Sequence, residues 1–321
     1  MNVAELLKVE DLRVYYMTLR GYVKAVDGVS FSLDAGEVLG IAGESGSGKS
    51  TLVNYIVLPK PPMTLMGGRI LYRGVDLTKL ARDELNKIRY KGISIIPQYA
   101  MDSLSPTKKI KRIIEDLSKG RTNEDLVEKA RERLKLVNLS DRVLDMYPIE
   151  LSGGMKQRVV MVISTLLDPD ILIADEITSA LDVTTQRAVL EMLRDFKDTG
   201  VIRSIIFVTH DLAALYQIAD RIMVMYAGKL VEIGHSESIV RGPKHPYTRA
   251  LINSLPRIGV KYRVRRLKGI PGNPPSLYDP PRGCRFSPRC SEAMEVCMRE
   301  EPPEVVENGR RVYCWLYSGR G

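Results

Sequence analysis

The chain has 321 residues, 44% of them hydrophobic and 27% charged, enough for one large domain with an appendage or two modest ones. No apolar run approaches the ~18 residues that a membrane helix needs, and the N-terminus (Met1-Asn2-Val3-Ala4-Glu5) lacks the basic-then-apolar order of a secretory signal. The net charge of +9 is concentrated between Arg257 and Arg289, where nine Lys or Arg stand against one acid, Asp279, which argues against a general nucleic-acid surface.

From Leu6 to Asp34, short apolar runs alternate with turn residues and read as antiparallel strands, among them Val14-Tyr15-Tyr16 and Val29-Ser30-Phe31. An apolar strand, Val38-Leu39-Gly40-Ile41-Ala42, then leads into a glycine-rich loop and a helix starting near Lys49. A further strand, Ile93-Ser94-Ile95-Ile96, ends at Pro97-Gln98. Helical periodicity and many charges from Ile110 to Leu144 predict a helical subdomain, about residues 99–160, inserted between strands. The runs Ile171–Ala174, Ser204–Val208 and Arg221–Met225 follow, separated by helical segments, as in a mainly parallel sheet covered on both faces. Near Gly242-Pro243 the texture changes to Pro- and Gly-rich sequence followed by all four cysteines. The chain is therefore expected to divide into residues 1–240 and a small irregular extension, 241–321. Asn and Gln are scarce beside the many charged residues, a lean towards a thermophilic source.

Gly43-Glu44-Ser45-Gly46-Ser47-Gly48-Lys49-Ser50-Thr51 fits G-x-x-x-x-G-K-[ST] without a mismatch. The glycines let successive backbone N–H groups curl around phosphate oxygens, and Lys49 adds a point charge at the β and γ phosphates. Ser50 offers its hydroxyl to Mg²⁺, and the helix presents its N-terminus to the anion. Ile171-Leu172-Ile173-Ala174-Asp175-Glu176 is an apolar strand ending in two acids. Asp175 suits Mg²⁺, and Glu176 suits polarisation of the attacking water as general base.

A phosphate loop alone leaves many nucleoside-triphosphatase families open. Leu151-Ser152-Gly153-Gly154-Met155-Lys156-Gln157-Arg158, before the acidic strand, resembles the signature motif of ABC ATPases. Physically, a serine and two glycines at a helix start form a second anion nest, useful if it completes the ATP site of another subunit. The resemblance covers about residues 6–255 and implies an α/β P-loop core with an antiparallel β-subdomain and the inserted helical subdomain. It implies that Gln98 is the glutamine touching Mg²⁺, that Ser179-Ala180-Leu181-Asp182 is the loop crossing the dimer interface, and that His210 reaches the γ-phosphate. Relatives stack adenine on an aromatic from the N-terminal region; Tyr16 is the choice here and Tyr22 the alternative. One departure is Ile177, where relatives commonly carry proline.

His245-Pro246-Tyr247-Thr248, Pro271-Gly272-Asn273-Pro274-Pro275 and Gly283-Cys284-Arg285-Phe286 resemble the extension of oligopeptide, dipeptide and nickel importer ATPases, some of which carry oligosaccharides. The resemblance implies an ATPase at the cytoplasmic face of the membrane, energising import of di- or oligopeptides. Its partners would be a second ATPase subunit in a heterodimer, two permease subunits and an extracellular solute-binding protein, without nucleic acid. An ABC protein acting on nucleic acid or ribosomes is the alternative class. Cys284, Cys290, Cys297 and Cys314 cluster without the C-x(2–4)-C pair usual in structural zinc sites. Their spacing leaves an iron–sulfur cluster, zinc and disulfides open. The resemblance implies a [4Fe–4S] cluster, its charge offset by Arg282, Arg285 and Arg289.

Overall fold

Apolar side chains alternating along the N-terminal stretch form two long antiparallel strands, β1 (Glu5–Thr18) and β2 (Gly21–Asp34). The structure is a computed structural model that describes residues 5–119, 122, 124–179, 181–254 and 269–319. Six of the nine basic residues counted in the tail, from Arg257 to Lys268, lie outside the described residues, as does Ala180. The described chain divides into two compact units, Met1–Thr78 with Val208–Gly321, and Lys79–Phe207.

In the first unit, β3 (Val38–Ala42) is buried at every residue, as expected for an uninterrupted apolar run, and α1 (Lys49–Val57) follows the glycine loop. β4 (Met63–Tyr72) pairs antiparallel with β1 and with the short β5 (Val75–Asp76). β4 was not among the expected strands, and Gly67-Gly68 at its middle is a pair that commonly marks a turn. Gly68 instead faces an irregularity in β1 around Asp11: a Cβ at Gly68 would lie 2.4 Å from the Asp11 carbonyl oxygen, so only glycine fits the bulged pair.

The second unit contains α2 (Arg82–Ile88), β6 (Ile93–Ile96), α3 (Ile110–Ser118), α4 (Leu126–Leu136), α5 (Gly153–Thr165), β7 (Ile171–Asp175), α6 (Val183–Asp198) and β8 (Ser204–Val208), whose last residue falls in the first unit. Its strand order is β8-β7-β6, with β6 and β7 parallel. Ile110, Ile114, Leu126, Ala130 and Leu134 are the buried stripe of α3 and α4, the pair anticipated for the helical insertion. Asp125 caps α4, accepting from the N–H groups of Val127 and Glu128.

After α7 (Leu212–Ile218), the chain returns through β9 (Arg221–Tyr226), β10 (Lys229–His235), α8 (Ser236–Arg241), α9 (Pro246–Asn253), α10 (Glu295–Arg299), β11 (Glu304–Glu307) and β12 (Arg310–Tyr313). β3 and β9 are parallel, but the order β11-β12-β10-β9-β3 is antiparallel from β9 outward, so the expected mainly parallel sheet is mixed. The two residues joining β9 to β10, Ala227 and Gly228, both have positive φ, the requirement of a tight type I′ hairpin.

Polar and aromatic anchors tie the extension to this sheet. The fully buried Glu232 carboxylate accepts from the N–H groups of Lys244 and His245 and pairs with Arg310 of β12 at 3.5 Å. Arg285, buried, donates to the Ala227 carbonyl and pairs with Asp27 of β2. Tyr226, Tyr247 and Phe286 form a cluster with ring centroids 4.5, 5.2 and 5.4 Å apart, each contact worth about 1 kcal/mol beyond burial.

Candidate nucleotide-binding site

The phosphate loop is fixed by close backbone approaches. A Cβ at Gly43 would lie 2.2 Å from the Met225 carbonyl oxygen, and one at Gly48 would lie 2.0 Å from that of Ala25. Gly48 caps α1 with φ 99, a conformation that L side chains rarely adopt, so both glycines are obligatory. Lys49 is buried, and its Nζ donates to the carbonyls of Gly43 (2.8 Å) and Glu44 (3.0 Å), which aims the ammonium along the loop. The buried Ser47 hydroxyl has no hydrogen-bond partner among the described residues. No acid sits in the first turn of α1, leaving its positive end for an anion. Tyr16 of β1 lies against the same helix, its hydroxyl 3.1 Å from that of Thr51. Tyr22 is more exposed and packs on Tyr15 instead. His210, just beyond β8, is exposed.

In the second unit, buried Asp175 ends β7 and Glu176 follows with φ 50, a strained value for a non-glycine residue. The Glu176 carboxylate accepts from Gln98 Nε2 at 3.2 Å and Ser179 Oγ at 3.3 Å. Tyr99, next to Gln98, also has positive φ and is 74% exposed. One member of the hydrogen-bonded Gln98–Glu176 pair and the residue next to the other are thus strained, the kind of strain that gathers at functional sites. These two residues, with Gln157 and Ser179, line a cavity of about 70 Å³.

Ser152 caps α5, its Oγ accepting from the Met155 N–H at 3.3 Å. Ser152, Gly153 and Gly154 are exposed, and a Cβ at either glycine would meet nothing within 4 Å. This chain's own packing therefore does not require those glycines. Gln157, by contrast, is buried and donates to the Ile177 carbonyl at 2.8 Å. That bond uses only a main-chain oxygen, which proline also has, so Ile177 changes no contact there. Asp182 caps α6: its carboxylate accepts from the Thr185 hydroxyl and from the N–H groups of Thr184 and Thr185, and these bonds hold its carboxyl below the usual range.

All four cysteines are free thiols and line one small cavity of about 10 Å³, together with His245 and Ser287. Burial pushes Cys284 up to about 12 and Cys314 up to about 11; the neighbouring thiols add to both shifts. His245 is neutral, its value driven down to about 3 by burial; Nδ1 accepts from the Tyr247 N–H, which assigns the hydrogen to Nε2. His245 Nε2, Ser287 Oγ and Arg249 Nε are buried without hydrogen-bond partners among the described residues. A donor-rich wall around four thiols fits an anionic sulfur centre. Among the described residues, however, no three His, Cys, Asp or Glu converge closely enough for a single metal ion. The cavity as it stands also has room for about one water.

The expected counter-charges are corrected. Arg282 is exposed, while Arg285 and Arg289 are committed to Asp27 and Glu44. Arg249 of α9 is the cation nearest in effect to Cys290 and Cys314, pulling both slightly down, but it too is paired, with Glu292 at 2.9 Å.

Comparison with known proteins bears directly on this geometry. A family model described as ABC transporter matches residues 26–179, and one described as Oligopeptide/dipeptide transporter, C-terminal region, matches residues 231–297. The dipeptide transport ATP-binding protein DppD of Caldanaerobacter subterraneus subsp. tengcongensis is 44% identical, covering 98% of this chain and 97% of its own. The oligopeptide transport ATP-binding protein OppD of Bacillus subtilis is 42% identical, covering 98% and 90%. The solved dimeric structure of a bacterial ABC transporter cassette aligns with a TM-score of 0.63 at 27% identity, over 72% of this chain and 99% of that one. The same cassette in a post-hydrolysis state bound to ADP and Pi gives 0.62. No helix among the described residues is long and apolar enough to cross a membrane.

Proposed function

The chain belongs to the ATP-binding subunits of ABC transporters, and from that premise we propose that it hydrolyses ATP to drive the import of dipeptides or oligopeptides. The observation that carries the peptide assignment is the joining, in one chain, of the ATPase cassette to the peptide-transporter C-terminal region. In this reading residues 1–240 are a nucleotide-binding domain and 241–321 an extension that marks the importer branch.

In this reading backbone N–H groups of the Gly43–Thr51 loop other than that of Glu44, which donates to Tyr247, hold the phosphates with Lys49, and Tyr16 stacks on adenine. Ser50, Gln98 and Asp175 would hold Mg²⁺, whose chemistry there would be neutralisation of phosphate charge. Glu176 polarises the attacking water, Gln98 and Ser179 orient its carboxylate, and His210 donates towards the γ-phosphate. Ser152, Gly153, Gly154 and Gln157 serve the partner's nucleotide, and Ser179 and Asp182 line the dimer interface. The partners are a second, different ATPase subunit, two permeases and an extracellular solute-binding protein, with this chain peripheral at the cytoplasmic face. The test is the reconstituted transporter. Binding protein loaded with a di- or oligopeptide raises its ATPase rate, and Lys49→Ala abolishes that rise. Stimulation by an oligosaccharide or nickel alone would reassign the cargo, and failure to co-purify with permeases would remove the transport role.

The same reading gives Cys284, Cys290, Cys297 and Cys314 a [4Fe–4S] cluster of structural role. His245 Nε2, Ser287 Oγ and Arg249 Nε, left without partners among the described residues, support it, since hydrogen bonds to the sulfurs tune such clusters. The cavity would have to widen by outward rotation of the thiols. Anaerobically purified protein is expected to be brown and to hold about four irons per chain, lost in Cys290→Ser, while nucleotide still binds. Colourless protein without iron would sink the cluster.

A further inference from the structure

Glu44 lies inside the phosphate loop, but its three polar groups are all engaged. Its carbonyl accepts from Lys49 Nζ at 3.0 Å. Its N–H donates to the Tyr247 hydroxyl at 2.8 Å. Its carboxylate accepts two bonds from the Arg289 guanidinium, at 2.8 and 3.1 Å. Tyr247 and Arg289 both belong to the C-terminal extension.

Arg289 is itself immobilised. Nε donates to the Pro271 carbonyl, one terminal nitrogen also reaches the Tyr226 hydroxyl, and the other reaches the Ile270 carbonyl. All five N–H donors of a guanidinium are thereby spent. The Arg289 side chain is only 5% exposed and that of Glu44 26%, so this planar fork is a part-buried, bidentate ion pair and not a fully solvated surface contact. Tyr247 is fully buried between Tyr226 and Phe286, which fixes its hydroxyl as rigidly.

We propose that Arg289 and Tyr247 are positioning residues for ATP binding, fixing Glu44 and, through its carbonyl, the Nζ of Lys49. Arg289 has a second role in the same contact: it neutralises a carboxylate that the loop carries beside the phosphates. An anionic side chain there repels the triphosphate unless it is paired. The extension is thus part of the nucleotide site of its own chain. A cassette of this kind cannot shed it without weakening its hold on ATP.

The inference rests on the phosphate-loop reading, and Lys49→Ala separates the two: retained MgATP binding in that variant would overturn the reading itself. With the full chain, MgATP dissociation constants are measured for Arg289→Gln, Tyr247→Phe and Glu44→Gln/Arg289→Gln, with thermal melts to confirm folding. Arg289→Gln is expected to weaken binding about 10-fold through the unpaired carboxylate. Tyr247→Phe keeps the ring and loses only the acceptor, weakening binding about 3-fold. The double variant removes the repelling charge and recovers to within about 3-fold of wild type. In the assembled transporter, Arg289→Gln raises the KM for ATP while leaving kcat within about twofold, the split expected when ground-state binding is lost. A merely structural tail contact predicts no recovery in the double variant. Binding by folded Arg289→Gln equal to wild type, or a double variant no better than the single one, overturns the proposal.

Discussion

Glu176→Gln in the assembled transporter leaves ATP binding intact and lowers kcat by about 10²- to 10⁴-fold, the range attributable to a lost general base. The change is close to isosteric. The amide oxygen can still accept from Gln98 and Ser179, as the carboxylate does at 3.2 and 3.3 Å, so the loop after β7 keeps its shape. Positive φ at this position is equally costly for Glu and Gln, so the backbone adds no difference between the two proteins. What disappears is the capacity to take a proton from water. Binding is expected to persist because Lys49 and the glycine loop are untouched, and the unhydrolysed nucleotide should hold the ATPase pair together. Single-turnover hydrolysis and gel filtration with ATP check both halves. A kcat within a few-fold of wild type would take Glu176 out of the base's role.

The parts of this architecture that were legible in sequence are those with short-range signals. β3 and β8 run from Val38 to Ala42 and from Ser204 to Val208, as their apolar runs announced. Uninterrupted apolar runs of this length have few other uses in a soluble α/β core. Lys49 opens α1, as the phosphate-loop pattern required. β4 was hidden because Gly67-Gly68 serves a bulge, and sequence alone does not separate a bulge from a turn. β11 and β12 were hidden because they are short and half-exposed, with no apolar run.

Contacts between distant residues were the least legible. Arg289 and Glu44 are 245 residues apart, and each looks like a solvated charge on its own segment. Nothing in their local patterns points to the other. The same blindness produced the wrong counter-charges for the cysteines: sequence proximity favoured Arg285 and Arg289, while folding spends both on Asp27 and Glu44, and the arginine it brings towards the thiols, Arg249, is shared with Glu292. Charge runs report composition; pairing is decided by topology.

The exposed start of α5 gives the second large effect. Gly153→Asp is expected to leave the fold and the isolated chain's ATP affinity within about twofold of wild type, because a Cβ there meets nothing and charge that exposed is strongly screened. A side chain is tolerated by this chain, so any severe consequence must come from another molecule. In the assembled pair the new carboxylate would sit where the partner's phosphates approach the helix N-terminus, replacing attraction with repulsion. α5 has no acid of its own in that first turn, consistent with an end kept for an anion. ATP-driven association and hydrolysis should therefore both fall by about 10²-fold or more, equivalent to some 3 kcal/mol lost at a desolvated charge contact. Light scattering with ATP and steady-state turnover measure the two losses. Lys49→Ala provides the contrast, since it should abolish binding in the isolated chain as well. If Gly153→Asp weakened isolated binding as severely as Lys49→Ala, the nest would belong to this chain's own nucleotide and the cross-subunit assignment would fall.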